Sequence, residues 1–357
     1  MKRYGIGIQN MEYTKTCKTI KKKLGEDIRN HNTQKIKETI ENNKSLKKTK
    51  KKLSNGKQRI ITLLDKNGQE IRDQDMMLKR IEEFYGDLYH SDRGVEDLQQ
   101  ESTEELPDIT TWEVKYALQN MKRGKAPGPD NILMDTLIEG EDIITAELAK
   151  LFTTCITQGK VPKKWKEANM IILFKKGNKR DLKNYRPISL LSNIYKLFTR
   201  VLTNRMENTL DRNQPREQAG FRSGFSTLDH LHTINQLKEK CQEYNKPLCM
   251  AFIDYEKAFD SVETQSVLNA LHQQGVEREY IEVLKDIYTD CTTKVMLHKE
   301  SEEIPIKKGV RQGDTISPKL FTACLESIFR SLHWENKGIN INEKGLTISD
   351  LPMTLFA

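Results

Sequence analysis

From about residue 105 to residue 357 the sequence predicts a mixed α/β fold, and two observations carry that prediction. Short apolar runs of strand length, "ANMIILFKK", "PLCMAFIDY" and "TTKVMLH", alternate with stretches in which apolar residues recur every three or four positions. The chain, at 357 residues, is also long enough to bury a sizeable core as one large domain or one domain plus an extension. Apolar residues make up 36% and charged residues 31%, which is polar for a globular chain yet too rich in Leu, Ile and Phe for wholesale disorder.

Residues 1–104 read differently, as a basic, mainly helical N-terminal extension. Between Lys44 and Lys57, "KSLKKTKKKLSNGK" carries seven lysines and no acid, a density that repels itself unless a polyanion or solvent screens it. Lys47, Lys48, Lys50, Lys51 and Lys52 are therefore candidate nucleic-acid contacts. A solvated helix face followed by a Ser-Asn-Gly turn, or a nuclear import signal, would read the same way. "RIITLLDKNGQEI" predicts a hairpin around Lys66-Asn67-Gly68. Met76, Met77, Ile81, Phe84, Tyr85 and Leu88 then recur at helical spacing, which is a packing stripe.

Within residues 105–357, Thr110 and Glu113 form a capping-box signature before a helix with Trp112, Leu118 and Met121. A second helix, with Ile144, Leu148, Leu151, Phe152 and Cys155 on one face, stops at Gly159. "ANMIILFKK" reads as a buried strand, and Leu190 to Leu202 as a long helix. Ser226 opens another helix, "PLCMAFIDY" follows as a strand, and two helices run to about Asp290. The strands "TTKVMLH" and "EEIPIKKG" precede a final helix from Ser317, and no internal repeat is present.

The formal charge of +8 favours a polyanionic partner. No apolar run reaches membrane-spanning length and "MKRYGIGIQN" lacks the apolar core of a signal peptide, so a soluble intracellular protein without a membrane partner is expected. Six cysteines show neither C-x-x-C nor zinc-finger spacing and read as reduced thiols, several on apolar helix faces. His230 and His232, two apart on a helix, point to different sides and make no metal pair.

Three stretches carry chemistry. In "MAFIDYEKAFDSV" an apolar run delivers Asp254 at its end, where a divalent-metal ligand would sit; a hard cation such as Mg²⁺ takes carboxylate oxygens and needs at least one more carboxylate. Asp260, at a helix start, reads as a cap. "GVRQGDTISPKLF" is a tight loop feeding a helix, with Pro318 in the first turn. "FKKGNKRDLKNYRPISLLS" is a basic hairpin-like loop in which Pro187 biases Arg186 toward extended backbone, and a guanidinium held so can fork onto a triphosphate. Each of the three, alone, also fits an ordinary cap, loop junction or solvated turn.

Together they resemble one family, the reverse transcriptases of non-LTR retrotransposons. "GKAPGPDNI", "NYRPISLL", "QAGFRSGFSTLDHL", "FIDYEKAFDSV" and "GVRQGDTISPKLF" occur in that family's order over roughly residues 105–357. The segment from "NNKSLKKTKKKLSNGK" through "FYGDLYHS" is similar to the region these elements place before the polymerase. The resemblance implies right-hand polymerase fingers and an incomplete palm, with an antiparallel palm sheet backed by helices. It implies an RNA template, a DNA primer, dNTP substrates and two Mg²⁺ ions. By the same resemblance Asp254 is the first metal-binding aspartate, with the Tyr255 carbonyl beside it. Phe259 is the bulky gate against a ribose 2′-hydroxyl, and Gln312 and Gly313 line the nucleotide pocket. Arg186 clamps the triphosphate, with Lys179 or Lys176 a second cation. The family's pattern continues past "TLFA" into two adjacent aspartates, whereas this sequence ends at Phe356-Ala357. A chain cut there is expected to be a poor polymerase or none, or a non-catalytic nucleic-acid-binding remnant.

Overall fold

A computed structural model describes residues 4–42, 45, 49, 60–96, 98, 106–215, 218–222, 224–332, 339–341 and 344–346. The chain divides into two compact units, Met1–Ile61 and Thr62–Ala357. In the first, a 38-residue helix, α1 (Tyr4–Glu41), leaves Ile20, Leu24 and Ile40 exposed. The candidate contacts Lys47, Lys48, Lys50, Lys51 and Lys52 lie outside the described residues. No helix among the described residues is long and apolar enough to cross a membrane.

The second unit begins with the predicted hairpin. Strands β1 (Leu63–Leu64) and β2 (Glu70–Ile71) pair across a turn in which the Asp65 carboxylate accepts from the backbone N–H groups of Asn67 and Gln69, while Gly68 takes φ +83°. Helix α2 (Gln74–Tyr89) starts where the Asp73 side chain accepts from the Asp75 and Met76 N–H groups. Its core face is Met77, Ile81 and Tyr85; Met76, counted in the predicted stripe, faces solvent.

Helix α3 (Thr111–Gln119) has the predicted capping box. Trp112 is exposed and stacks on Tyr116 one turn away, so the apolar face of this helix is Val114, Ala117 and Leu118 instead. Helices α4 (Met134–Glu139) and α5 (Glu141–Gln158) follow, and α5 ends at Gly159 in the left-handed conformation, as its sequence requires.

A four-stranded sheet joins β3 (Glu167–Phe174), β4 (Tyr185–Leu190), β5 (Cys291–Val295) and β6 (Ile304–Ile306) in the order β4-β3-β5-β6. This sheet is mixed: β3 pairs parallel with β5 and antiparallel with β4. Parallel pairing needs a long crossover, and the helices between β4 and β5 supply it. They are α6 (Asn193–Asn213), α7 (Thr227–Glu243), α8 (Ala258–Ser261), α9 (Thr264–Gln273) and α10 (Arg278–Tyr288). Only Ala168 and Met170 of β3 are buried, and its end at Leu173 and Phe174 is open, so the run is half-buried rather than covered on both faces.

Helix α11 (Ser317–Ser331) packs against α9, and a small antiparallel pair, β7 (Ile339–Ile341) with β8 (Lys344–Leu346), follows. The core centres on Phe152, Trp165, Tyr195 and Phe198, whose neighbouring ring centroids lie 5.1 to 6.1 Å apart. Burial of each such side chain contributes roughly 1.5–3 kcal/mol.

The predicted strand "PLCMAFIDY" is not a strand. Residues 246–255 run as coil, with Met250, Phe252 and Ile253 exposed by 44, 82 and 73%. A strand is held by ladder bonds to a neighbour, and no described strand runs beside this segment.

Candidate active site

The loop between β6 and α11 is the best-fixed part of the site, and two charged residues that sequence reasoning passed over hold it. Arg311 is buried, and its Nη1 donates to the Trp165 carbonyl at 2.9 Å. Its Nη2 donates to the Ile287 carbonyl at 3.1 Å and the Lys166 carbonyl at 3.3 Å, and faces the Cys291 Sγ at 2.8 Å. The guanidinium also lies 5.4 Å from the Tyr195 ring centroid. One planar group with five donors thus ties together the entry to β3, the end of α10 and the start of β5, which a lysine could not do. Asp314 accepts from the Tyr195 hydroxyl at 2.5 Å and from Thr199 Oγ1 at 2.7 Å, both on α6. The available signal was two opposite charges flanking Gln-Gly in "GVRQGD", between apolar runs that would bury them.

With its two ends fixed, the loop lies against β4. The Ser189 N–H donates to the Gln312 carbonyl at 2.8 Å. Gly313 takes φ +115°, and a Cβ there would sit 2.8 Å from the Ser189 carbonyl oxygen, so only glycine allows this approach. At the other end Gly309 and Val310 donate to the carbonyls of Val262 and Phe259, each at 2.7 Å. The loop is therefore bonded to β4 on one side and to α8 on the other.

Helix α8 carries Phe259, half-buried and braced by two rings: Phe321 stacked at 4.9 Å and Phe221 edge-on at 5.7 Å. Lys257, at φ +50°, turns the chain into α8, and its ammonium lies 4.3 Å from the Phe84 ring centroid. Burial holds that ammonium below the usual lysine range.

Asp260 corrects the sequence reading, because it caps nothing. It is buried inside α8, where Oδ1 accepts from the Tyr89 hydroxyl at 3.3 Å and Oδ2 from Gln312 Nε2 at 3.1 Å. Burial raises its pKa to about 6, against the opposing pull of Lys257 and the two hydrogen bonds.

The other predicted residues divide. Arg186 lies half-buried on β4, opposite Leu173. It shares a strand face with Ile188, whose Cγ2 is 3.9 Å from where a Gly313 Cβ would be. The fold thus gathers Arg186, Gln312, Gly313 and Phe259 around one loop. Lys179 sits beyond the far end of β4, exposed, with its ammonium 5.6 Å from the Phe174 ring centroid and its carbonyl accepting from the Tyr185 hydroxyl at 2.6 Å. Asp254 and Tyr255 lie in the exposed coil, and no group of three or more metal-ligating side chains occurs among the described residues.

A further residue supports the site from below. A Cβ on Gly128, in "KAPGPD", would fall 2.4 Å from the Leu191 carbonyl carbon and the Ser192 nitrogen, so this loop seats its bare backbone on the β4–α6 junction. Asn193 Nδ2 fastens the same loop by donating to the Ile132 carbonyl at 2.7 Å. Elsewhere Cys155, Cys241, Cys291 and Cys324 are buried thiols and Cys249 is exposed, with Cys291 on a strand rather than a helix face. His230 is buried, and burial lowers its pKa.

Residues 174–349, from the last residue of β3 through the loop and α11, match the family described as "Reverse transcriptase (RNA-dependent DNA polymerase)". They are a reverse transcriptase domain of the non-LTR retrotransposon kind. Over 311 residues, 84% of the chain, the sequence is 26% identical to the transposon TX1 uncharacterized 149 kDa protein of Xenopus laevis. It is 30% identical over 224 residues, 61% of the chain, to the probable RNA-directed DNA polymerase from transposon BS of Drosophila melanogaster. It is 27% identical over 227 residues, 63% of the chain, to the Pol polyprotein of the type-1 retrotransposable element R2 of Popillia japonica. The matched regions span 24, 24 and 31% of these relatives, so the reverse transcriptase domain here corresponds to a part of much longer proteins.

Proposed function

We propose that this domain catalyses RNA-directed DNA synthesis, adding dNTPs to the 3′ end of a primer along an RNA template. The observation that carries the proposal is the seating of the 309–314 loop, which lays the Gln312-Gly313 backbone along the outer edge of β4, the strand that carries Arg186, and rests its other end on the helix of Phe259. In right-hand polymerase terms, the β3–β4 hairpin belongs to the fingers and α8 with the loop to the palm.

Each residue then has a task. Arg186 forks onto phosphate oxygens of the incoming triphosphate, with Lys179 adding charge from the hairpin loop. Gln312 and the exposed backbone of Gly313 meet the base and sugar. Phe259, unable to swing away because Phe221 and Phe321 hold its ring, excludes a 2′-hydroxyl. Asp254 and the Tyr255 carbonyl are hard oxygen donors in an exposed segment and would supply part of a Mg²⁺ site that needs at least one further carboxylate, two ions being expected for such a reaction. When bound, Mg²⁺ lowers the pKa of the primer hydroxyl and stabilises the leaving pyrophosphate. The rest of the rate enhancement comes from holding primer end and α-phosphate in line. The formal charge of +8 favours template and primer at any ionic strength below full screening, and Lys47 to Lys52 extend that attraction in the N-terminal extension of residues 1–104.

A second reading is a nucleic-acid-binding module without catalysis, favoured by the exposed, coiled setting of Asp254. Primer extension on an RNA template, with Mg²⁺ and dNTPs, separates the two. Extension that disappears in Asp254→Ala supports the polymerase, and extension that persists overturns the role of Asp254. No extension from either, with salt-sensitive RNA binding intact, favours the second reading.

A further inference from the structure

We infer that Asp260 is a positioning residue: with Tyr89 of α2 it forms a relay that dictates which end of the Gln312 amide is presented to the nucleotide. The inference rests on the reading of Gln312 as a pocket residue. A carboxylate can only accept hydrogen bonds, so Gln312 must turn its NH₂ toward Asp260 Oδ2 and its carbonyl oxygen toward the other side. The Tyr89 hydroxyl occupies Oδ1, which keeps the carboxylate plane from rotating out of line. Tyr89 is itself fixed, because its carbonyl accepts from the Lys307 N–H at 3.1 Å, just before the loop. Helix α2, which lies ahead of the matched family region, thereby reaches the pocket through two bonds.

Protonating Asp260 would turn one of its oxygens into a donor, letting the Gln312 amide flip and present NH₂ where it had presented oxygen. The groups facing Asp260 are Tyr85 and Tyr89 from α2, Lys257 from its own turn and neutral Gln312 from the loop. Burial keeps both tyrosines un-ionised far above neutrality and lowers the Lys257 ammonium, while it raises Asp260, the one carboxylate among these groups, to about 6. The orientation of Gln312, and with it the fit of the nucleotide, changes over that range.

Selective ¹⁵N-glutamine labelling of the full chain tests the relay directly, with the side-chain amide of Gln312 identified by its loss in Gln312→Met. The signal is expected to titrate with a midpoint near pH 6 in the parent chain. It should be pH-independent in Asp260→Asn, and Tyr89→Phe should move the midpoint upward by removing a bond to the carboxylate. A parent signal that stays flat from about pH 5 to about pH 8, or titrates unchanged in Asp260→Asn, overturns the relay. If Asp260→Asn fails to fold, the parent chain and Tyr89→Phe still decide it.

In primer extension Asp260→Asn is expected to raise the dNTP KM roughly three- to tenfold with kcat within about twofold. An unchanged KM alongside an intact titration overturns the link to nucleotide presentation. A parent chain that extends no primer counts against the polymerase reading, and leaves the titration to decide the relay.

Discussion

The 309–314 loop and the 250–256 segment both carry residues expected at the same site, and the chain treats them in opposite ways. The polar side chains of the loop reach partners elsewhere in the fold: Arg311 through both Nη atoms in three elements, Asp314 on α6, and Gln312 on β4 and α8. The 250–256 segment has apolar side chains in solvent and no described strand beside it. Loop geometry that depends on hydrogen bonds to helices and strands already in place is specified by this chain. A strand is specified only where a neighbour completes its ladder, and alternation alone does not supply one.

Four changes would break or sharpen that contrast, beginning with the largest. Arg311→Met is expected to cost about 3–5 kcal/mol in urea unfolding, because it removes a donor from the Trp165, Lys166 and Ile287 carbonyls at once and takes a cation away from buried Asp314. Arg311→Lys should recover little of it. A loss below about 1 kcal/mol would mean the loop is held by something other than this fork.

The next effect is a slope. Asp260 ordinarily ionises at 3.8 and in the fold at about 6, so between those values the folded state holds a proton the unfolded chain has released. Stability is therefore fully present below pH 3.8 and falls as pH rises through about 6, by about 3 kcal/mol at most. Asp260→Asn should flatten that part of the pH–stability curve, and a variant with the parent's slope would deny that Asp260 titrates there.

Gly128→Ala should follow at roughly 2 kcal/mol, since its methyl would meet backbone at the β4–α6 junction and the strand must shift. Thermal melting gives that value, and a silent substitution would show that the seat is soft. Smallest of all, Phe252→Ser should move stability by less than about 0.5 kcal/mol, as a side chain 82% exposed has little packing to lose. A loss comparable with that of Gly128→Ala would mean that Phe252 packs, and the contrast between the two regions would fail.

What was legible in the sequence follows the same line. Caps and stops are local, so Thr110 with Glu113, Ser226 and Gly159 announced their helices from a few neighbouring residues. The loop of "GVRQGD" and the helix after it could be placed because a tight glycine turn before Pro318 has few alternatives. Arg311 was missed because its partners, Trp165, Ile287 and Cys291, are distant in sequence. Asp260 was misread for the same reason: Tyr89, 171 positions away, decides its role rather than the helix it sits in. "PLCMAFIDY" was misread because an apolar run of strand length does not say whether a partner strand will come to meet it.

The parallel pairing of β3 with β5 bears on how the domain emerges during synthesis. Thr293 bonds back to Ala168 across 125 positions, whereas the β3–β4 hairpin closes across the short connection between Phe174 and Tyr185. At about 5–20 residues per second, the ribosome leaves β3 hydrogen-bonded on one side and bare on the other for roughly 6–25 s before β5 exists. Throughout that interval the hairpin offers an open backbone edge over Glu167 to Met170, and the nascent chain is then at its most vulnerable to mispairing with its neighbours on the same message.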